Sequence, residues 1–253
     1  MLIDEQKCIG CDNCITYCPV GAIRLEPRPG EYKKTQKSRK EVATINLEEC
    51  VECGVCLRSS NCPTDAIYQQ PLEYPRTVRS LMSDVLTVAE ESQISGRGTE
   101  EMKTNEVTGR FPLGIAGIAI EVGRPVVGAR IIDVQTLAMA VSVLGVEFEP
   151  INPVTSMMSD PKTGKFREEL LDEKVLSAII EFSIRYEQLP KLFEILKQAE
   201  KQIDSVFSLD LACRLNPDGS NPTMPYIREA GLWVAPNGKT NVGLGRPLFE
   251  EGS

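Results

Sequence analysis

The stretch "CIGCDNCITYCP", Cys8 to Pro19, sets four cysteines in the order C-x2-C-x2-C-x3-C-P. The stretch "CVECGVCLRSSNCP", Cys50 to Pro63, nearly repeats it as C-x2-C-x2-C-x5-C-P. The flanks repeat as well: "IDEQKC" answers "INLEEC", and "CPVGAI" answers "CPTDAI". This is an internal duplication, each half a short strand, a cysteine loop and a helical turn. Three cysteines two apart wrap a tight loop around one face of an iron–sulfur cubane, while the fourth, followed by proline, points away to the other cluster. The spacing assigns Cys8, Cys11, Cys14 and Cys62 to one 4Fe–4S centre, and Cys50, Cys53, Cys56 and Cys18 to a second. Pro19 and Pro63 fix φ and withdraw an N–H where the chain turns off each cluster. Gly10 and Gly54 let backbone N–H groups approach the sulfides.

Composition narrows the alternatives. The chain has 253 residues, 42% hydrophobic and 25% charged, the balance of a globular protein with one large domain or two ordinary ones. No run of eighteen apolar residues exists, so no membrane span is expected. The start, "MLIDEQKC", has neither a basic n-region nor an apolar h-region, so the expected location is the cytoplasm, where thiols stay reduced. That disfavours a disulfide framework, and a tetrahedral zinc wants two separated C-x2-C pairs rather than a triplet. The formal charge of −8 argues against non-specific nucleic-acid binding. Histidine is absent, which removes the usual proton shuttle and the commonest zinc ligand. Eight of the nine cysteines lie within the first 62 residues, so a metal-built first domain should precede one with an ordinary apolar core.

Residues 1–70 resemble a two-cluster bacterial-type ferredoxin, with both cysteine sets matched ligand by ligand. The resemblance implies low-potential, one-electron transfer between two neighbouring clusters, held by the first seventy-odd residues alone. The sequence departs from the simple pattern twice. Five residues, "LRSSN", separate Cys56 from Cys62 where three are usual, enlarging a loop beside the cluster that Cys62 ligates. The connection from Cys18 to Cys50 is also long, and carries the basic run Lys33, Lys34, Lys37, Arg39 and Lys40. That run reads as a solvated hairpin tip, the alternative being a docking patch for an acidic partner surface.

Beyond the cysteines, "TVRSLMSDVLTVAEES" places Val78, Leu81, Met82, Val85 and Val88 or Ala89 at helical spacing. The polar "ISGRGTEEMKTNEVTGRFP" follows as a linker or docking loop, in which "GRGT" is a plain turn or an anion site built on Arg97. No G-x-G-x-x-G follows a strand and no P-loop exists. From Phe111 to Asn216, strands and helices alternate: "GIAGIAIEVG", "IIDVQTLAMAVSVLG", "VEFEPI", "KVLSAIIEFSIRYE", "LPKLFEILKQAEKQI" and "SVFSLDLACRL". This strand–helix–strand, strand–helix–strand order predicts a split-βαβ plait and resembles ACT-like and other ferredoxin-like α+β domains. Cys213 falls on the apolar face of the last strand, as a structural thiol. The turn-rich tail holds the lone Trp233, and suits either a wrap around the plait or, preferably, a partner subunit.

The expected fold class is therefore α+β. A two-cluster ferredoxin domain spans 1–70, a helix and linker or docking loop 71–110, a ferredoxin-like βαββαβ domain 111–216, and a turn-rich C-terminal arm 217–253. The segments "EEMKTNEVTGRF" and "GVEFEPINPVT" are also similar to ferredoxin-type proteins associated with 6-hydroxynicotinate reductase. The expected function is a low-potential electron-transfer protein or subunit. It relays single electrons through two 4Fe–4S clusters to or from a larger anaerobic oxidoreductase, flavin-containing subunits among the candidates, with homo-oligomerisation through the C-terminal domain as a further option. The alternative is a complete or ligand-gated reductase or sensor whose α+β domain binds a small molecule. No catalytic residue is assigned.

Overall fold

The computed structural model describes residues 1–29, 40–88, 96–99, 102, 104–124 and 127–236. The basic run at Lys33, Lys34, Lys37 and Arg39 therefore lies outside the described residues.

The cysteine-rich half is built twice. Strand β1 (Leu2–Ile3), the single turn α1 (Asn13–Thr16) and β2 (Ile23–Pro27) are answered by β3 (Glu41–Ile45), α2 (Val55–Ser59) and β4 (Ile67–Tyr68). The halves interlock, because β1 pairs antiparallel with β4 and β2 with β3. Ala22, Ile23, Val42, Ala43, Ala66 and Ile67 make the small core behind the cysteines. The duplication runs deeper in backbone than in side chains. Gly10 and Glu52, two residues after the first cysteine of each set, both have positive φ (71° and 55°). So do Asp12 and Gly54 (both 67°), and Gly21 and Asp65 (65° and 48°). Each left-handed position carries glycine in one half only; the other half bears a side chain there, which costs on the order of 1–3 kcal/mol per site unless its surroundings over-determine it.

Helix α3 (Thr77–Ser83) is shorter than its apolar spacing predicts. It stops because Asp84 turns extended (ψ 119°), and its carboxylate receives Arg58 in a bidentate pair, 3.0 Å on each arm. Val85, Leu86 and Val88 are exposed rather than packed on a helix face, and Ala89 lies outside the described residues. Nor is α3 an isolated spacer: its Val78 and Met82 are buried in the core of the second half.

After the turn α4 (Asn105–Thr108), β5 (Ile115–Val122) leads through β6 (Ala129–Arg130) into α5 (Ile131–Ser142). The turn α6 (Pro153–Ser156) is followed by the hairpin β7 (Met158–Asp160) and β8 (Lys165–Phe166), then β9 (Lys174–Val175), which pairs with β6. Strand β10 (Ala178–Arg185), helix α7 (Leu189–Ala199) and β11 (Phe207–Ala212) complete the layer. The sheet is antiparallel in the order β10–β5–β11, with Ile180 opposite Ile120 and Leu209 opposite Ile120 on its other side. Ile131, Val134, Leu137, Ala138 and Val141 of α5 and Leu189, Leu192, Phe193 and Leu196 of α7 bury against it.

The strand expected at "VEFEPI" is reduced to one antiparallel bridge, Phe148 to Phe182, with the rings edge-on at 6.0 Å. One further backbone bond, Glu149 N–H to Glu181 C=O at 2.8 Å, extends it before Pro150, which has no N–H to continue a ladder. Here two distant segments meet. Arg110 pairs with buried Glu149, while Glu181 accepts from the Thr99 N–H (2.8 Å), the Thr99 hydroxyl (2.9 Å) and the Asn152 amide. Arg97 bonds Ser177 at 2.6 Å and Glu121 at 3.0 Å, so its guanidinium serves the plain turn rather than an anion site.

Cys213 follows β11, half-buried against the core, with its thiol 3.3 Å from the Asn221 carboxamide oxygen. The arm is a wrap in its first part, against the preference for a partner subunit. Helix α8 (Met224–Glu229) buries Ile227 in the core, and Lys197 of α7 reaches the Ala230 carbonyl at 2.7 Å. Trp233 stays 82% exposed. Residues 237–253 lie outside the described residues. Among the described residues no helix is long and apolar enough to cross a membrane.

Candidate metal centres

The fold sorts the eight clustered cysteines into two cavities. Cys8, Cys11, Cys14 and Cys62 line one, whose wall includes Ser60, Thr64 and Ile67. Cys18, Cys50, Cys53 and Cys56 line the other, with Val20, Ala22, Ile45 and Val51. In each, three thiols come from one repeat and the fourth from the other. The antiparallel β1–β4 and β2–β3 pairs cause this exchange, since they lay the end of each half beside the start of the other.

The thiols crowd one another. Burial pushes Cys14 up to about 11, helped by Cys8, Cys11 and Cys62. Burial pushes Cys56 up to about 12, helped by Cys50, Cys53 and Cys18. Burial likewise raises Cys50 and Cys53. Backbone N–H groups at Thr64, Ala66 and Ile67, with the Thr64 side chain, instead lower Cys62 against its burial. Thiolate is the form that binds metal, so loading either cavity releases protons. Among the described residues, no three cysteine or carboxylate side chains stand close enough to hold a single metal ion. A donor set of four thiols spread around a cavity suits a multi-iron cluster better than one tetrahedral zinc.

Backbone donors face the same sulfurs. Ala22 N–H points at Cys18 Sγ (3.1 Å) and Ala66 N–H at Cys62 Sγ (3.3 Å), the same contact in both halves. Gly10 N–H adds one to Cys8 Sγ at 3.4 Å. Gly54 is fixed by a different neighbour: a Cβ there would lie 2.3 Å from the Arg58 guanidinium. That guanidinium, pinned by Asp84, also donates to the Cys53 carbonyl at 2.7 Å.

What the cysteine pattern did not reveal is the clamp on the second cavity. Arg79, 3% exposed, donates to the carbonyls of Leu47 (3.0 Å), Glu48 (2.9 Å) and Cys50 (2.9 Å), and pairs with Glu173. Arg76 donates twice to buried Glu52, at 2.9 and 2.7 Å. Glu49 receives Arg130 at 3.1 Å and Lys174, and both cations lower its carboxyl, Lys174 foremost. The turn from Leu47 to Glu52 is thus gripped by α3 and by the β6–β9 ladder. Two arginines three apart, one capping and one within a short apolar helix, were the visible hint; their partners, up to 94 residues away, were not.

Comparison with known proteins concentrates on this half. A match to a 4Fe-4S dicluster domain covers residues 7–66. Ferredoxin-3 of Nostoc sp. is 34% identical over 77 residues, 28% of this chain and 77% of the relative. Ferredoxin-3 of Rhodobacter capsulatus is 34% identical over 80 residues, 26% of this chain and 79% of the relative. Pyruvate synthase subunit PorD of Methanocaldococcus jannaschii is 33% identical over 66 residues, 26% of this chain and 60% of the relative. No solved structure matches the chain.

Proposed function

Since this chain belongs to the family of 4Fe-4S dicluster ferredoxins, we propose that it relays single electrons through two 4Fe–4S centres to or from a larger oxidoreductase. The observation that carries the reading is the sorting of eight cysteines into two four-thiol cavities by exchange between the repeats. In that reading Cys8, Cys11, Cys14 and Cys62 hold the first centre, and Cys18, Cys50, Cys53 and Cys56 the second. Each centre, when bound, supplies a one-electron couple. The chain's own contribution is to neutralise and bury it: backbone N–H groups of Gly10, Ala22 and Ala66 face the ligand sulfurs, and apolar walls limit water.

The larger partner is supported by PorD, a pyruvate synthase subunit by name, as a relative of the same cluster half. We assign the plait, a split βαβ with a vestigial fourth strand at Phe148, and the arm to binding that partner. The resemblance of "EEMKTNEVTGRF" and "GVEFEPINPVT" to ferredoxin-type proteins associated with 6-hydroxynicotinate reductase is what points to a partner in anaerobic ring reduction. The cytoplasm, where thiols stay reduced, is the setting that suits this chemistry.

The test is anaerobic native purification of the untagged chain, followed by electron delivery. The chain should co-elute with an oxidoreductase subunit and, once reduced, re-oxidise at least tenfold faster with that subunit and its acceptor than with the acceptor alone. Turnover of a small substrate by the isolated chain, undiminished without any partner, would refute the relay.

A further inference from the structure

The two cavities are unequal in a way that the cysteine spacing does not determine. Ser60 is 2% exposed, its hydroxyl finds no hydrogen-bond partner among the described residues, and it lines the cavity of Cys8, Cys11, Cys14 and Cys62. It caps α2 at its C-terminus and belongs to the five-residue stretch that lengthens the second cysteine set. The corresponding cap of α1 is Tyr17, which is 42% exposed, and among the described residues no hydroxyl side chain lines the other cavity. An unpaired buried hydroxyl is rare enough to call for a partner, and here the open space beside it is a cluster cavity.

We propose that Ser60 donates its hydroxyl to sulfur of the first centre and raises that centre's reduction potential. This rests on the reading that both cavities hold 4Fe–4S clusters. Reduction adds one negative charge to the cluster, so a donor aimed at its sulfurs stabilises the reduced state more than the oxidised one. The other hydroxyl in this wall, that of Thr64, already engages Cys62 Sγ at 3.8 Å. Asp12 and Asn13 also line the wall but are exposed, where solvent screens their charge and dipole. The long C-x5-C spacing then has a purpose beyond loop length: the extra residues carry a hydroxyl inward, and the two centres of one duplicated fold become distinct couples.

The experiment is an EPR-monitored redox titration of the full-length reconstituted chain and its Ser60 variants. Ser60→Ala should lower one of the two potentials and leave the other in place. The expected shift corresponds to about tenfold in the reduction equilibrium, ~59 mV for a one-electron couple. Ser60→Thr, which keeps the hydroxyl, should restore most of it. If Ser60→Ala fails to load both centres, Ser60→Gly takes its place in the titration. Two unchanged potentials, or equal losses in the alanine and threonine chains, would overturn the proposal. Failure of the unsubstituted chain to bind two clusters would instead overturn the reading beneath it, and iron analysis tells these apart.

Discussion

Cys18→Ala, reconstituted anaerobically, is expected to lose the centre lined by Cys50, Cys53 and Cys56 and to keep the one lined by Cys8, Cys11, Cys14 and Cys62. Bound iron should fall from about eight to about four per chain. The reason is topological. Cys18 follows α1 in the first repeat, yet it shares its cavity with the second repeat's first three cysteines. Removing it deletes one of four anionic ligands from a site whose remaining thiols resist ionisation, since burial raises Cys50, Cys53 and Cys56. The first cavity keeps all four of its cysteines. Iron analysis with EPR of the reduced variant decides between the outcomes. Loss of the Cys8 centre with survival of the Cys50 centre would mean that each repeat closes its own site.

Arg79→Ala should be nearly as damaging although it touches no sulfur. The substitution strips donors from three carbonyls in the turn that ends at Cys50, and leaves Glu173 without its partner. Removing one member of a buried ion pair costs about 3–5 kcal/mol, a large share of the ~5–15 kcal/mol that stabilises an ordinary domain. The cost falls on the second centre, so its iron should be lost faster to a chelator, by about tenfold or more, while the first centre is spared. Arg79→Lys should rescue little, because one ammonium cannot span the carbonyls and Glu173 together. Equal chelation rates at both centres in Arg79→Ala would show that the clamp is idle. The same contacts revise the expectation that the first seventy-odd residues suffice for both clusters. A fragment ending near Gln70 lacks Arg76 and Arg79, and should hold the Cys50 centre less firmly than the Cys8 centre.

The doubled cysteine motif was legible in the sequence because thiol spacing is local and a proline follows each fourth cysteine. So were β5, α5, β10, α7 and β11, whose apolar periods are long and unbroken. The end of α3 was not, because Val85 and Val88 continue the helical spacing past Ser83, and only the pairing of Arg58 with Asp84 ends it. The edge at Phe148 looked like a strand for the same reason; Pro150 was in view, but not how few backbone bonds preceded it. The grip of Arg79, Arg130 and Lys174 on the Leu47–Glu52 turn depends on contacts far apart in sequence, and no local period encodes them. Ser60 was visible as one residue of an enlarged loop; its burial was not.

If one chain holds two clusters in exchanged four-cysteine cavities and passes electrons through them, both must be countable in it. Iron and acid-labile sulfide content, together with EPR of the fully reduced, unsubstituted chain, counts them. About eight irons per chain, and a spectrum broadened by coupling between two neighbouring paramagnets, is the predicted result. About four irons with the signal of an isolated cluster would contradict it.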